Sequence, residues 1–401
     1  MPIVKDRDII VVGLQPWDGE IGSNCKNIAI EFAKHNRVLY INYPLDRISI
    51  KRKSNNHLIA KRIDIIKNKK NSLLQIDNST WQLYPTCILE SINWIPFTFL
   101  FKIFNKINNN RFANEINKAI KILDFKDYIL FNDSDMFRSF HLPELLKPET
   151  SVYYTRDNMM SVGYWYKHGH ILEPQLMKKS NIVTANSTYL ANIAKQYNEL
   201  SFYVGQGCET DEFDLDKINN IPNDILNIKG PIIGYIGAIY KQRLDIELIE
   251  FIAETKPEYS IVLIGPQDEA FKKSKLHNKP NVHFLGLKET KELPMYLARF
   301  DVAINPQILN DVTIGNYPRK IDEYLSMGKP TIATETKAME IFKDFAYLAK
   351  SKEDYVKFIE IALKENSKEK ESERINFARS HTWQNSVSEI YKAIQLVTKI
   401  K

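Results

Sequence analysis

The chain has 401 residues, of which 44% are apolar and 26% charged; this balance suits two or three globular domains and excludes a disordered or fibrous chain. Its three cysteines, Cys25, Cys87 and Cys208, are scattered without ligand spacing, which speaks against a disulfide framework or a zinc site and fits a reducing cytoplasm. The net charge of +6 is uneven: residues 51–125 hold thirteen Lys or Arg against five Asp or Glu, so an anionic partner is expected near one lobe.

The N-terminus lacks a signal-peptide core and runs straight into a strand, Asp8 to Gly13. A Gly-containing loop follows (Leu14 to Ser23), then an amphipathic helix from Asn24 to His35 and a strand from Arg37 to Asn42. This is a Rossmann-like β-α-β opening, but without Gly-x-Gly-x-x-Gly a dinucleotide cofactor is not expected. Residues 46–80 read as exposed loop or hairpin, and Trp81–Tyr84 as a strand. No apolar run nears the roughly 20 residues needed to span a bilayer. The stretch 92–104 nevertheless mixes Trp94, Phe97, Phe99, Phe101 and Phe104 with Lys102. Two readings stand side by side: a core-packing segment, or an interfacial segment on anionic lipid.

Asn114–Leu123 reads as a helix, and Tyr128–Phe131 as a strand ending in Asn132-Asp133-Ser134-Asp135. That Asp-x-Asp is treated as a turn and cap feature, not a metal motif. Strands follow at 151–155, 181–187 and 201–204, with a helix at 188–197. His168, His170 and Glu173 lack strong metal-ligand spacing, and a structural or acceptor-binding role is expected. Strand and helix then alternate at 231–237, 244–255, 260–264, 281–285, 289–299, 301–305, 317–327 and 330–334, which implies a parallel sheet covered on both faces. A long helix closes the chain from Asn385 to Ile400.

The most informative stretch runs from Asn305 to Thr334. A short buried strand leads into a polar loop, then a helix with Asn316 expected as N-cap, Pro318 in the first turn and Gly328 just past the end. Its free N–H groups would point out of the carboxyl edge of the sheet, where phosphates bind. Lys320 in the first turn suits a diphosphate. Glu323, on roughly the same face, suits a ribose diol. An ordinary capped surface helix fits the same spacing.

The pattern Asn310-x-x-Thr313-x-x-x-x-Pro318-x-Lys320-x-x-Glu323-Tyr324-Leu325-x-x-Gly328-Lys329-Pro330 resembles the donor-site signature of bacterial GT-B glycosyltransferases of the family-4 type, including capsule and exopolysaccharide enzymes. Gly234-Tyr235-Ile236-Gly237-Ala238, Val262-Leu263-Ile264-Gly265-Pro266 and Asn281 to Gly286 match the same half in the same order. The likeness is close over 230–345 and loose elsewhere. It implies an α/β GT-B fold: two Rossmann-like lobes with parallel sheets facing a central cleft. The expected division is 1–207 for the acceptor lobe, 208–229 for the linker, 230–380 for the nucleotide-sugar donor lobe, and 381–401 for a helix packing back on the first lobe.

By the same resemblance, Glu323 binds the nucleotide ribose and Lys320 with the helix start holds the diphosphate. Thr313, Asn310, Gly315, Asn316, Pro318, Gly237, Gly265, Lys241, Arg243, Gly286 and Leu287 complete the expected donor set. Trp17, Gly19, Arg156, His168 and His170 are the acceptor set. Asp157, just past a strand, is the candidate base, with Asp18 as rival; a helix-capping Asp is the plain alternative for Asp157. One departure is Gly315, eight residues before Glu323, where many retaining members carry a second Glu; the stereochemistry is therefore left open.

The expected activity is metal-independent transfer of a sugar (EC 2.4 class) from a nucleotide-diphosphate sugar, taken as UDP-linked, to a glycan or lipid-linked saccharide in surface polysaccharide biosynthesis. No tightly bound cofactor and no nucleic-acid partner are expected; the chain is expected in the cytoplasm, and peripheral contact of residues 94–104 with the inner face of the plasma membrane stays one of the two readings of that stretch. The alternatives are a non-catalytic GT-B-like subunit of a polysaccharide assembly complex, or a nucleotide-sugar epimerase or hydrolase.

Overall fold

The computed structural model describes residues 2–19, 23–52, 57–68, 70–208 and 212–400, with side chains up to 397. Residues 20–22 of the first loop, 209–211 of the expected linker, and 53–56 and 69 of the Lys/Asn-rich stretch lie outside the described residues. The chain forms two compact units, one of residues 1–205 with 383–401 and the other of residues 206–382.

The first unit is built on eight strands: β1 (Asp8–Gly13), β2 (Arg37–Ile41), β3 (Leu73–Gln75), β4 (Thr80–Leu83), β5 (Ile129–Asp133), β6 (Thr150–Thr155), β7 (Ile182–Ala185) and β8 (Ser201–Tyr203). Their order is β3-β4-β2-β1-β5-β6-β7-β8, parallel except for the β3–β4 hairpin. Alternation along β1 sends Ile9 and Val11 to one face and Ile10 and Val12 to the other. The first face is closed by the helix Asn24–Ala33 and by Trp383–Ile400 from the end of the chain. Phe32 lies against Tyr391 at 5.5 Å, and Asn36 Nδ2 donates to the Tyr391 hydroxyl at 3.0 Å. The opposite face carries Phe112, Ala113 and Ile116 of the helix Thr98–Leu123.

Two expectations change here. Residues 46–80 hold two helices, Arg47–Lys51 and His57–Lys67, before the hairpin; Asp46 caps the first by accepting from the Ser49 N–H. The helix expected at 114–123 starts sixteen residues earlier and runs unbroken for 26 residues from Thr98. Its buried face includes Asn105, Asn108 and Asn109, and those amides disguise the apolar period.

The second unit has six strands: β9 (Ile232–Ile236), β10 (Ser260–Ile264), β11 (Val282–Gly286), β12 (Val302–Asn305), β13 (Thr331–Thr334) and β14 (Tyr347–Ala349). Their order, β11-β10-β9-β12-β13-β14, is parallel throughout. Strand order reverses between β9 and β12, so ligands are expected beyond the carboxyl ends of those two strands. Ile249, Ile252, Tyr355 and Ile359 cover one face; Leu297, Ile321, Leu325 and Phe342 cover the other.

Candidate active site

In the second unit the helix Arg319–Ser326 is fixed at the reversal point from three sides. The Tyr324 hydroxyl accepts from the Ile236 N–H at 2.9 Å, which ties the helix to the end of β9. Tyr317 and His381 hold the buried Asp322 carboxylate at 2.8 and 2.7 Å. Burial pushes the Asp322 carboxyl above its ordinary value, and His381 and Tyr317 oppose that rise. At the far end Gly328, at φ +66°, donates to Leu325 while Lys329 donates to Tyr324, a Schellman close.

The start of this helix departs from expectation. Pro318, not Asn316, is the N-cap, and no side chain caps the helix. The Asn316 Oδ1 is buried without a hydrogen-bond partner. Three longer helices of the unit are capped conventionally, by Asp245, Ser351 and Ser367. The first-turn N–H groups here lack the side-chain acceptor that those three have, and the positive end of the dipole faces the strand ends.

Lys320 lies over the end of β9. Its ammonium donates to the Tyr235 hydroxyl at 2.6 Å and sits 4.2 Å from the centre of that ring. Among the described residues no carboxylate pairs with it. Gly237 makes room: a Cβ there would come within 2.7 Å of Lys320 Nζ, and its φ of +144° also disfavours a side chain. Gly265 follows the same logic just past the end of β10, where a Cβ would meet the Gly237 carbonyl oxygen at 1.9 Å. Glu323, on the next turn, is partly exposed with Arg319 Nη2 at 3.9 Å.

The remaining donor candidates divide. Asn310 and Thr313 shape the loop: Asn310 Oδ1 accepts from the Val312 and Thr313 N–H groups, Asn310 Nδ2 donates to the Gln242 carbonyl, and Thr313 Oγ1 donates to the Ile308 carbonyl. Gly315 is buried in the same loop. Lys241 and Arg243 are exposed in the loop after β9, and Gly286 ends β11 with Leu287 exposed beside it.

In the first unit strand order reverses at β1 and β5, where Gly13 pairs with Asp133. Asp133 is fully buried and accepts from Arg156 Nε at 2.8 Å; Arg156 Nη1 donates to Asp157 at 2.8 Å. Burial works against the Arg156 charge, but Asp133 and Asp157 outweigh it and hold the guanidinium charged. The Asp157 side chain is 44% exposed. Asp18 is engaged differently, accepting from Lys61 at 2.9 Å and the Tyr84 hydroxyl at 2.8 Å. Burial raises its carboxyl, yet these bonds prevail and hold it below its ordinary value.

Trp17 packs its ring edge-on against Tyr40 and its backbone N–H donates to Asn42 Oδ1, while the Gly19 N–H turns back to the Pro16 carbonyl. His168 is buried, stacked on Phe101 at 4.1 Å and bonded to Thr98 at 3.1 Å. His170 is exposed and rests on Tyr166. Among the described residues no group of three or more His, Cys, Asp or Glu could hold a metal ion. Sequence reasoning missed a cavity of about 720 Å³ in this unit, lined in part by Tyr43, Trp94, Tyr164 and Trp165. Only the aromatic content of 92–104 signalled it.

A family model for glycosyl transferases group 1 matches residues 230–365, the stretch that holds the uncapped helix, Lys320 and Glu323. A Bacillus subtilis (strain 168) protein, provisionally named the teichuronic acid biosynthesis glycosyltransferase TuaH, is 28% identical over 233 residues, 55% of this chain and 58% of that protein. The chain thus matches little more than half the length of that relative. Solved structures share the GT-B fold across both units. Sucrose-phosphate synthase from Thermosynechococcus elongatus is 12% identical with a TM-score of 0.68, over 98% of this chain and 100% of that one. Trehalose 6-phosphate synthase from Burkholderia multivorans is 10% identical with a TM-score of 0.69, over 98% and 99%. Anabaena Alr3699/HepE, in complex with UDP, is 14% identical with a TM-score of 0.60, over 98% of each chain.

Glu173 gives this region a pH signature. It is deeply buried, bonded to the Tyr153 hydroxyl at 2.7 Å, and burial pushes its carboxyl up to about 7, a rise that the Tyr153 bond only partly offsets. A carboxyl raised in the folded state stabilises fully below its unfolded pKa and loses that contribution as pH rises through the folded value. Stability should fall by about 3 kcal/mol between pH 4.5 and 8 on this account. Glu173→Gln should flatten that slope in urea denaturation series; an unchanged slope would refute the assignment.

Proposed function

We propose that the chain is a glycosyltransferase that takes its sugar from a UDP-sugar bound on the second unit and passes it to a saccharide acceptor in surface polysaccharide biosynthesis. The observation that carries this is the uncapped start of the helix Arg319–Ser326 at the strand-order reversal, with Lys320 beside it and paired to no carboxylate. A departing diphosphate gains most from fixed N–H dipoles and an ammonium already in place. Glu323 lies where a carboxylate can accept from a ribose diol. The group 1 glycosyl transferase match over 230–365, a relative named for teichuronic acid biosynthesis and a fold neighbour in complex with UDP support the same reading.

Calorimetry with UDP, GDP and CDP tests it. UDP should bind preferentially, and Lys320→Ala or Glu323→Ala should each weaken it by about 10- to 100-fold. If none of the three binds, the domain is a non-catalytic, GT-B-like subunit.

Asp157 is the better candidate base of the two, because Lys61 and Tyr84 hold the Asp18 carboxyl below its ordinary value and so make it the weaker proton acceptor. Inversion needs such a base; retention needs none from the protein. With an inverting product, read from its anomeric configuration by NMR, Asp157→Asn should cut kcat by about 100-fold or more. An inverting variant of undiminished kcat would remove Asp157 from that role.

Peripheral membrane contact belongs to the same proposal. Phe97, Phe99 and Ile103 are 60%, 64% and 56% exposed at the start of the helix Thr98–Leu123, with Lys102 and Lys106 interleaved and no acidic residue between 91 and 114. No helix among the described residues is long and apolar enough to cross a membrane. An apolar face with lysines suits the surface of an anionic bilayer on the cytoplasmic side. The protein should float with phosphatidylglycerol-containing vesicles and not with pure phosphatidylcholine, and Phe97→Asp with Phe99→Asp should release it.

A further inference from the structure

Past β9 the chain leaves the sheet through a short tip, Tyr240 to Arg243, set between two buried feet. Ile239 and Leu244 are 0% and 2% exposed, whereas all four tip residues are exposed. The tip closes on itself, with the Arg243 and Leu244 N–H groups donating to the Tyr240 carbonyl at 2.8 and 2.9 Å. It is also clasped from both sides. From the β10 side Asp268 Oδ2 accepts from the Lys241 N–H at 2.8 Å; from the β12 side Asn310 Nδ2 donates to the Gln242 carbonyl at 2.9 Å. The Ile308 N–H adds a third tie, to the Arg243 carbonyl at 3.0 Å.

The clasps spend side chains on the backbone of the tip and leave its charges alone. Asp268 gives one oxygen to the Lys241 N–H and the other to the Phe271 N–H, where it caps the short helix Glu269–Lys272. Among the described residues neither the Lys241 ammonium nor the Arg243 guanidinium is paired with a carboxylate. A backbone already fixed, carrying two uncompensated cations, loses little freedom when an anion arrives. Asn310 ties this tip to a second place. Its Oδ1 accepts from the Val312 and Thr313 N–H groups at 2.9 and 3.1 Å, in the loop that delivers the chain to Pro318 and the uncapped helix. One amide thus joins the cation-bearing tip to the approach of Lys320, and most of its hydrogen-bonding capacity is consumed in doing so.

We propose that Asn310 and Asp268 are positioning residues for the nucleotide diphosphate: they touch no ligand, and they hold the tip so that Lys241 and Arg243 meet the diphosphate together with Lys320. This rests on the donor reading given above and changes the part expected of Asn310 from contact to clasp.

Calorimetry on the full chain with UDP, and with uridine, which lacks the charged group, tests this. Asn310→Ser keeps an acceptor for the Val312 N–H and loses the reach to Gln242. Asp268→Asn keeps the cap of Glu269–Lys272 and loses the acceptor for the Lys241 N–H. Each should weaken UDP by about tenfold and leave uridine within about twofold. In a chain already carrying Lys241→Gln and Arg243→Gln, adding Asn310→Ser should weaken UDP by less than about twofold, because the clasp then holds nothing charged. Equal loss of uridine and UDP would mean a collapsed loop, and the full loss persisting in the Lys241→Gln, Arg243→Gln background would mean an action independent of the tip; either overturns the assignment. UDP binding at undiminished strength in both clasp variants overturns it too and leaves the donor reading standing. If the unaltered chain binds no UDP, the donor reading fails and the positioning role falls with it.

Discussion

The second unit depends on one short contact region, where the helix Arg319–Ser326 meets the end of β9. Tyr324 satisfies the backbone of Ile236, Tyr235 receives the Lys320 ammonium, and Gly237 leaves space for it. Together these place a dipole end and a point charge at the reversal of strand order without a neutralising carboxylate. Such an arrangement costs stability, because Lys320 is partly buried and its bonded partner is neutral. Asp322, on the buried side of the helix, and His381 behind it supply the buried polar anchoring that holds the helix in place.

The first unit solves its own reversal point in the opposite way. There the buried charge is neutralised on site, with Arg156 bridging Asp133 and Asp157. A buried Asp133 alone would be protonated or would destabilise the sheet. Arg156 offsets part of that penalty, burial still holding the Asp133 carboxyl above its ordinary value, and by the same guanidinium fixes the direction of the more exposed Asp157. The two units share a sheet topology rule but place different electrostatics at its focus.

Much of this was legible in the sequence, for identifiable reasons. The buried strands of both units are continuous apolar runs bounded by glycine, asparagine or proline, so their register on the chain was plain; β10, at Ser260–Ile264, was read residue for residue. Lys320 and Glu323 stand out in the sequence because they ride on a well-punctuated helix. The start of that helix was misread because Asn316 is a good cap by type, whereas the loop built by Asn310 and Thr313 delivers the chain at Pro318. The helix Thr98–Leu123 was shortened because its buried asparagines imitate a polar surface. The cavity of the first unit joins residues from five separate stretches, Leu14 and those around 43–52, 89–108, 137–138 and 163–167, of which only the aromatic run at 92–104 stands out in the sequence.

The closing helix has a consequence for how the protein is made. Trp383, Ile390, Tyr391 and Ile394 fill the same core face as Ile9, Phe32 and Val38, so the first unit is discontinuous and the second is inserted within it. Emerging from a ribosome, residues 206–382 can complete their sheet while the earlier sheet still shows an uncovered apolar face. The unit encoded first is therefore the one that finishes last, and its exposed interval lasts for the whole synthesis of the other.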